Sequence, residues 1–143
     1  MESKKAEQLR IEIESLSKNE EFARVVVAVF MSRLNPTLEE LDDVKTAVSE
    51  AVTNAVIHGY QGEEGIIYIE ASIMEQEITV IIRDTGVGIS NVEQAMEPMY
   101  TTDKTGERSG MGFAFMEAFM DEVSVESIPG EGTKVIMKKR IGR

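Results

Sequence analysis

The stretch ITVIIRDTGVG, residues 78–88, is the most informative part of this 143-residue sequence. Its first five residues are all β-branched, which predicts a strand at the centre of a sheet. Asp84 ends the strand, and Gly86 and Gly88 follow. A carboxylate there can accept a hydrogen bond from an exocyclic amine such as that of adenine, and glycines let the backbone approach a flat ring. The alternative is an ordinary turn after a strand.

The sequence before this stretch predicts one strand and two helices. Alternating apolar residues over 9–13 predict a short, half-buried strand. Ser17 and Glu20 have the spacing of a capping box, and the helix that follows should end near Leu34, before Asn35-Pro36. A second capping box, Thr37 and Glu40, begins a longer helix that should end near Gly59, a residue suited to the left-handed C′ position.

The remaining sequence predicts four more strands and one more helix. The strands span residues 66–73, 78–84, 123–128 and 133–138, and the third helix spans about 113–120. The polar stretch 98–110 is predicted to be a loop. Because helices and antiparallel hairpins are mixed, we expect an α+β fold, a two-layer sandwich in one domain with the helices on one face of the sheet.

Composition excludes several classes of function. The net charge of −11 argues against direct nucleic-acid binding and against anionic membrane surfaces. The absence of cysteine excludes disulfides and thiolate metal sites, and a single histidine excludes the common multi-histidine zinc sites. No apolar run reaches the length of a membrane span, and no signal peptide is visible, so we expect a cytoplasmic protein.

Glu50 and Asn54 are separated by four residues on the second predicted helix and therefore share a face. The face could simply be solvated. It could also carry chemistry, since an Asn oxygen suits Mg²⁺ when phosphates and waters supply the other ligands, and a Glu carboxylate can accept a hydroxyl proton.

Two further glycine pairs are consistent with a nucleotide site. Gly110 and Gly112 precede the third helix, where backbone N–H groups attract phosphate, although they could also be a flexible entry to the helix. The spacing fits neither a P-loop nor a dinucleotide fingerprint. The stretch GEGT, residues 130–133, is a hairpin turn whose Thr133 hydroxyl could close a base pocket.

The order of these motifs resembles that of the Bergerat-fold (GHKL) ATPases, which include DNA gyrase and the histidine kinases. SEAVTNAVIHGY (49–60) resembles their N-box, and DTGVG (84–88), GMGF (110–113) and GEGT resemble their three glycine boxes. The stretch MYTTDKTGERSGMGFAFMEAFMDEVSV (99–125) is more specific and is similar to the small bacterial anti-sigma kinases. The similarity extends over about residues 9–138.

The resemblance implies a mixed, mostly antiparallel Bergerat-type sheet that binds ATP or ADP with Mg²⁺. It implies that Glu50 is the catalytic base and Asn54 the Mg²⁺ ligand. It also implies that Asp84 holds the adenine amine, that Gly86 lies beside the ring, and that Thr133 completes the pocket, partly through water.

The resemblance also assigns the phosphate end of the site. Gly110 and Gly112 would let the loop cover the phosphates, and Arg108 would reach the γ-phosphate and act in catalysis, unless it is a solvated charge paired with Glu107. The nucleotide-binding set further includes Gly88, Thr101, Lys104, Ser109 and Met111. The polar composition of residues 98–110 predicts a lid that ATP orders more than ADP does.

The resemblance implies an anti-sigma factor that binds a sigma factor of the sporulation sigma F type. As a serine kinase it would phosphorylate the anti-anti-sigma antagonist. An ATP-gated binding module with little kinase activity is the alternative, and a domain that uses its glycines only for turns is the third possibility. The resemblance further implies a homodimer, and residues 9–13 would supply an exposed strand edge for the contact.

Arg24 matches a family position that grips protein partners, but it could equally form an i, i+4 ion pair with Glu20. His58 is interpreted as a structural residue at the end of the second helix, because the sequence before the first helix is too short for the phospho-acceptor domain of a histidine kinase.

Overall fold

The computed structural model describes residues 6–97 and 112–142. Within these ranges, five strands form one antiparallel sheet in the order β1-β2-β3-β5-β4. The elements in chain order are β1 (Glu7–Glu14), α1 (Asn19–Met31), α2 (Leu38–Asn54), β2 (Ile66–Met74), β3 (Glu77–Asp84), α3 (Val92–Ala95), α4 (Gly112–Phe119), β4 (Glu122–Ile128) and β5 (Gly132–Arg140). None of the helices in the described part of the chain is long and apolar enough to cross a membrane.

The strand β3 lies at the centre of the sheet, as the sequence predicts. Its side chains alternate between the two faces, and Ile78, Val80 and Ile82 are buried against the helices. Asp84 has the same parity as Ile82, so its carboxylate also points into the helix-covered face. Because side-chain direction alternates along β3, the last residue of this apolar strand places its carboxylate in the protein interior.

The core fills the space between one face of the sheet and the three longer helices. Each longer helix contributes buried apolar side chains to it, such as Val27 from α1, Val48 from α2 and Met116 from α4. Inward-facing residues of the strands, such as Ile69 and Met137, complete this core. The predicted α+β sandwich with helices on one face is therefore confirmed.

The first strand lies at the edge of the sheet and pairs only with β2 in the described structure. Ile13 is buried, and Leu9 and Ile11 pack partly against the core, which confirms the predicted half-buried strand. The strand is longer than the prediction, since Glu7 and Glu14 continue the ladder with polar side chains that no hydrophobic pattern marks.

The two predicted capping boxes have different outcomes. At α2 the box is present, since Thr37 Oγ1 accepts from the Glu40 amide at 3.0 Å and Glu40 Oε1 accepts from the Thr37 amide at 2.9 Å. The box predicted at Ser17 and Glu20 is wrong. Lys18 occupies the N-cap position in a helical conformation, and no side chain caps α1 there. A tight turn after β1 leads straight into the helix, so no extended residue is available for a cap.

The second helical segment ends at Gly59 as predicted, but its last turn is not α-helical and the conformation predicted for Gly59 is wrong. The α-helix ends at Asn54 and continues as one π-helical turn, Ala55–Gly59. Gly59 is not left-handed; the residues with positive φ are Gln61 (55°) and Gly62 (79°). The π-turn widens the helix next to the end of β3. Such turns are frequent at functional sites.

Candidate functional site

A cavity of about 190 Å³ lies where the end of α2, the end of β3, the start of β5, the segment after β3 and the start of α4 meet. Five of the residues that the sequence assigns to nucleotide binding line it, namely Asn54, Asp84, Gly88, Gly112 and Thr133. Gly86 and Glu50 are not among the residues that line it. Apolar side chains, among them Ile82, Phe113 and Val135, form much of the remaining lining. The cavity is thus apolar with a few polar groups, as is typical of small-molecule sites.

Asp84 is a polar group in the cavity lining and is only 6% exposed. Its Oδ1 accepts a hydrogen bond from the Gly86 amide at 2.9 Å. Burial raises the pKa of the Asp84 carboxyl, while hydrogen bonds from the Gly86 and Thr133 backbone and the charge of Arg83 lower it less. Burial of a carboxylate carries a desolvation cost, and a ligand that donates hydrogen bonds to it lowers that cost.

Gly59 in the π-turn makes the approach to Asp84 possible. A Cβ atom built on Gly59 would lie 2.7 Å from Asp84 Oδ2, so any side chain there would displace the carboxylate. A Cβ on Gly86 would lie only 2.0 Å from the carbonyl oxygen of Gly59, and that same oxygen accepts from the Val87 amide at 2.9 Å. The close packing of two glycines therefore joins the end of α2 to the loop after β3.

The opposite end of the cavity brings Glu50 and Asn54 to the first residue of α4. A Cβ atom on Gly112 would lie 3.0 Å from Asn54 Nδ2 and 3.4 Å from Glu50 Oε2. The i, i+4 pair therefore lies against a helix N-terminus, and Asn54 lines the cavity. No group of three or more His, Cys, Asp or Glu residues that could hold a metal lies in ranges 6–97 and 112–142, so a cation at Asn54 would need ligands from a bound phosphate and water.

Tyr60 is a positioning residue that the sequence analysis missed. Its hydroxyl accepts from the Thr85 amide at 2.8 Å and donates to the carbonyl oxygen of Ile66. The ring occupies the space beside Gly65, where a Cβ would lie 2.5 Å from it. Tyr60 thus ties the residue after Asp84 to the start of β2. The only sequence signal for this role is that the tyrosine closes the SEAVTNAVIHGY motif.

Comparison with known proteins identifies the family. The family model for the histidine kinase-like ATPase domain matches residues 14–139. The anti-sigma F factor of Clostridium kluyveri is 59% identical over 131 residues, which cover 92% of each chain. The anti-sigma F factor of Clostridium acetobutylicum is 60% identical over 124 residues, or 87% of each chain. This chain belongs to the anti-sigma F factor family.

Solved structures show that this chain shares its fold with more distantly related proteins. The RsbU and RsbW domains of a Mycobacterium tuberculosis protein superpose with a TM-score of 0.68 at 20% identity, over 96% of this chain and 32% of that one. The catalytic domain of the histidine kinase ThkA superposes with a TM-score of 0.59 at 18% identity, over 93% and 96% of the two chains. At these identities the likeness concerns the fold alone.

Several site residues expected from the family resemblance lie outside the described residues of this anti-sigma F family member. These are Thr101, Lys104, Arg108, Ser109, Gly110 and Met111, together with the rest of the predicted lid over residues 98–110. Their roles stay predictions. His58 is half-buried in the π-turn and lines the cavity wall.

Arg24 does not line the cavity and lies on α1. Its Nη1 is 3.7 Å from Glu20 Oε2, so the i, i+4 ion pair considered in the sequence is present. The pair leaves the guanidinium partly exposed, at 37% of its side chain. Its partner-binding role is not tested by this geometry and stays a prediction.

Asp84→Asn tests the burial of this carboxyl without any ligand. Burial raises the pKa of Asp84 in the folded state above its ordinary value of 3.8, which applies to the unfolded state. At a pH between these two pKa values, Asp84 is protonated in the folded state and ionised in the unfolded state. We expect the free energy of unfolding of the wild type, relative to that of the variant, to rise as the pH falls through this window. Denaturant titrations between about pH 7 and 4 measure it.

Asp42→Asn, at an exposed position on α2, is the matched control for the loss of one carboxyl group. A difference between wild type and Asp84→Asn that is constant with pH would show that Asp84 is not held in a desolvated environment.

Proposed function

We propose that this chain is an anti-sigma factor with serine kinase activity. It binds Mg-ATP, sequesters a sigma factor of the sigma F type and phosphorylates a serine of the anti-anti-sigma protein. The observation that carries the proposal is the arrangement of one cavity, with a buried hydrogen-bond acceptor, Asp84, at one end and the Glu50/Asn54 pair beside a helix N-terminus at the other. A nucleoside triphosphate has matching groups at its two ends.

The adenine end follows from hydrogen-bonding capacity and shape. An ionised Asp84 only accepts hydrogen bonds, which suits the exocyclic amine of adenine. Ile82 and Val135 line the cavity beside it and offer apolar contact to a purine ring. Thr133 pairs with Asp84 across β3 and β5, so both side chains face the same part of the cavity.

The other end of the cavity would hold the phosphates. Because the chain has a net charge of −11, positive charges and N–H donors are needed there to bind an anionic group. Asn54 would contribute one neutral oxygen to Mg²⁺, and the phosphates and waters would contribute the rest. The N-terminus of α4 at Gly112 supplies backbone N–H groups and the positive end of a helix dipole. Lys104 and Arg108 would add positive charge from the loop, where Arg108 would stabilise charge on the transferring phosphoryl group.

Glu50 would act as the general base of the transfer. The serine hydroxyl of the protein substrate loses its proton to the Glu50 carboxylate while its oxygen forms a bond to the γ-phosphorus. The bond between that phosphorus and the β,γ-bridging oxygen breaks, and ADP leaves. The second candidate, an ATP-gated binding module with little kinase activity, has no need of a carboxylate at this position, so Glu50 favours the kinase.

Two observations support the proposal that this chain binds protein partners: the names of its relatives and the exposed apolar side chains on α1. The curated relatives are named anti-sigma F factors, which implies a sigma factor partner. Phe22, Val25 and Val29 recur at helical spacing and are 54%, 47% and 67% exposed. They lie on the same helix as Arg24, which we assign to partner binding. We further propose a cytoplasmic homodimer that uses the free edge of β1, whose outer backbone groups can pair with a second copy.

Glu50→Gln tests the kinase assignment. We expect ATP binding to stay near the wild-type value, because the amide has the same shape, and phosphoryl transfer to fall by about 10²–10⁴-fold, because the amide cannot take up a proton. The measurement is labelled phosphoserine formed on an anti-anti-sigma protein with Mg-ATP, alongside calorimetry of ATP binding. Glu39→Gln, in the exposed first turn of the same helix, is the control.

Transfer by Glu50→Gln at the wild-type rate would remove Glu50 from the base role. A wild-type protein that binds ATP but transfers no phosphate would favour the binding module instead.

Asn54→Ala tests the metal site. We expect the affinity for Mg-ATP to fall about tenfold or more, since one direct ligand is lost, while the fold is kept because Asn54 faces the cavity and not the core. Calorimetry with and without Mg²⁺ separates the metal effect, and the variant should differ little from wild type when the metal is chelated. An unchanged Mg-ATP affinity would contradict the assignment.

A further inference from the structure

Ser127 lies on β4, directly opposite Thr133 of β5, and Thr133 in turn lies opposite Asp84 of β3. Residues that pair directly across antiparallel strands have side chains on the same face. Asp84, Thr133 and Ser127 therefore form a row across three neighbouring strands. Asp84 and Thr133 line the cavity, whereas Ser127 is part-buried behind it.

Among residues 6–97 and 112–142, the hydroxyl of Ser127 has three polar neighbours. The Ile89 amide donates to its Oγ at 2.7 Å. The carbonyl oxygen of Gly132 lies 3.0 Å away and can only accept. The hydroxyl of Thr133 lies 2.8 Å away, and by distance alone either oxygen could be the donor.

Counting hydrogens removes this ambiguity. A serine hydroxyl has one hydrogen and two lone pairs. The geometry has Ser127 Oγ donating its hydrogen to the Gly132 carbonyl oxygen, and one lone pair receives the Ile89 amide. The second lone pair is left for Thr133, so the Thr133 hydroxyl must be the donor of that bond. Thr133 Oγ1 then has only lone pairs to offer to the cavity.

We infer that Ser127 is a positioning residue that fixes the direction of the Thr133 hydroxyl. As a result, the end of the cavity at Asp84 and Thr133, where the base would bind, only accepts hydrogen bonds. The ionised Asp84 carboxylate and the committed Thr133 hydroxyl both accept. A purine with an exocyclic amine at carbon 6 satisfies them. A purine with a carbonyl oxygen there places an acceptor against acceptors at that atom, although its N1–H can still donate, and it is bound more weakly.

The inference rests on the proposed nucleotide site and assigns to Ser127 a part of its selectivity for adenine. Removal of Ser127 Oγ frees the Thr133 hydroxyl to rotate and to donate to a carbonyl oxygen. The selectivity between the two purines should therefore fall, and this readout differs from the general loss of affinity that a purely structural role would give.

The test is the ratio of the dissociation constants of ITP and ATP, measured by calorimetry on the full chain. Inosine carries a carbonyl oxygen at carbon 6 in place of the amine. In Ser127→Ala the preference for ATP should fall about tenfold relative to wild type. Ser127→Thr, which keeps the hydroxyl on a strand position, should restore the preference. Ser124→Ala, an exposed serine on the opposite face of β4, should leave it unchanged.

A test in the Thr133→Val variant shows whether Ser127 acts through the Thr133 hydroxyl. In Thr133→Val there is no hydroxyl to orient, so a further change of Ser127 to Ala should leave the ratio as it is in Thr133→Val alone. If Ser127→Ala does not fold, Ser127→Cys replaces it, since a thiol has a similar shape and is a weak hydrogen-bonding group.

The outcomes separate the two claims. A wild-type ratio retained in Ser127→Ala and in Ser127→Cys overturns the role of Ser127 and leaves the nucleotide site in place. A further fall of the ratio in the Thr133→Val background also overturns it, because Ser127 would then act without Thr133. A wild-type protein that binds neither nucleotide overturns the proposed function itself.

Discussion

The contact between the end of α2 and the end of β3 is the constraint on which the site depends. Gly59 lies directly against the carboxylate of Asp84, and its carbonyl oxygen lies against Gly86 and accepts from the Val87 amide. The π-helical turn brings Gly59 to that position. With a side chain at Gly59 or Gly86 the helix and the strand would separate. Asp84 and Asn54 would then no longer line one cavity.

The two ends of the cavity are built from different elements of the fold. Its base end rests on three paired strands, on Tyr60 and on the glycine contact, so Asp84 and Thr133 are held in place without a ligand. Preorganisation of this kind lowers the entropic cost of binding. Its phosphate end is built where α2 meets the first residue of α4. For the proposed nucleotide site, this arrangement would let adenine recognition stay constant while the state of the phosphates changes.

Sequence patterns predicted the parts of the molecule that depend on local chemistry. The β-branched run of β3, the Thr37 capping box and the i, i+4 spacing of Glu50 and Asn54 each follow from neighbours in the chain, and the structure shows each of these elements. The patterns failed where tertiary contacts decide. Ser17 has the capping spacing, but a turn set by β1 places Lys18 at the helix start. Ser127 was not predicted, because its partners come from a loop and another strand.

The central claim is that the buried carboxylate of Asp84 recognises the exocyclic amine of adenine. The most direct test compares ATP with purine riboside triphosphate, which lacks that amine, by calorimetry on the wild type and on Asp84→Ala, which has no acceptor at this position. The account predicts that the wild type binds the analogue at least about tenfold more weakly than ATP, and that the variant binds the two nucleotides with nearly equal affinity. Equal affinity of the wild type for ATP and the analogue would contradict it.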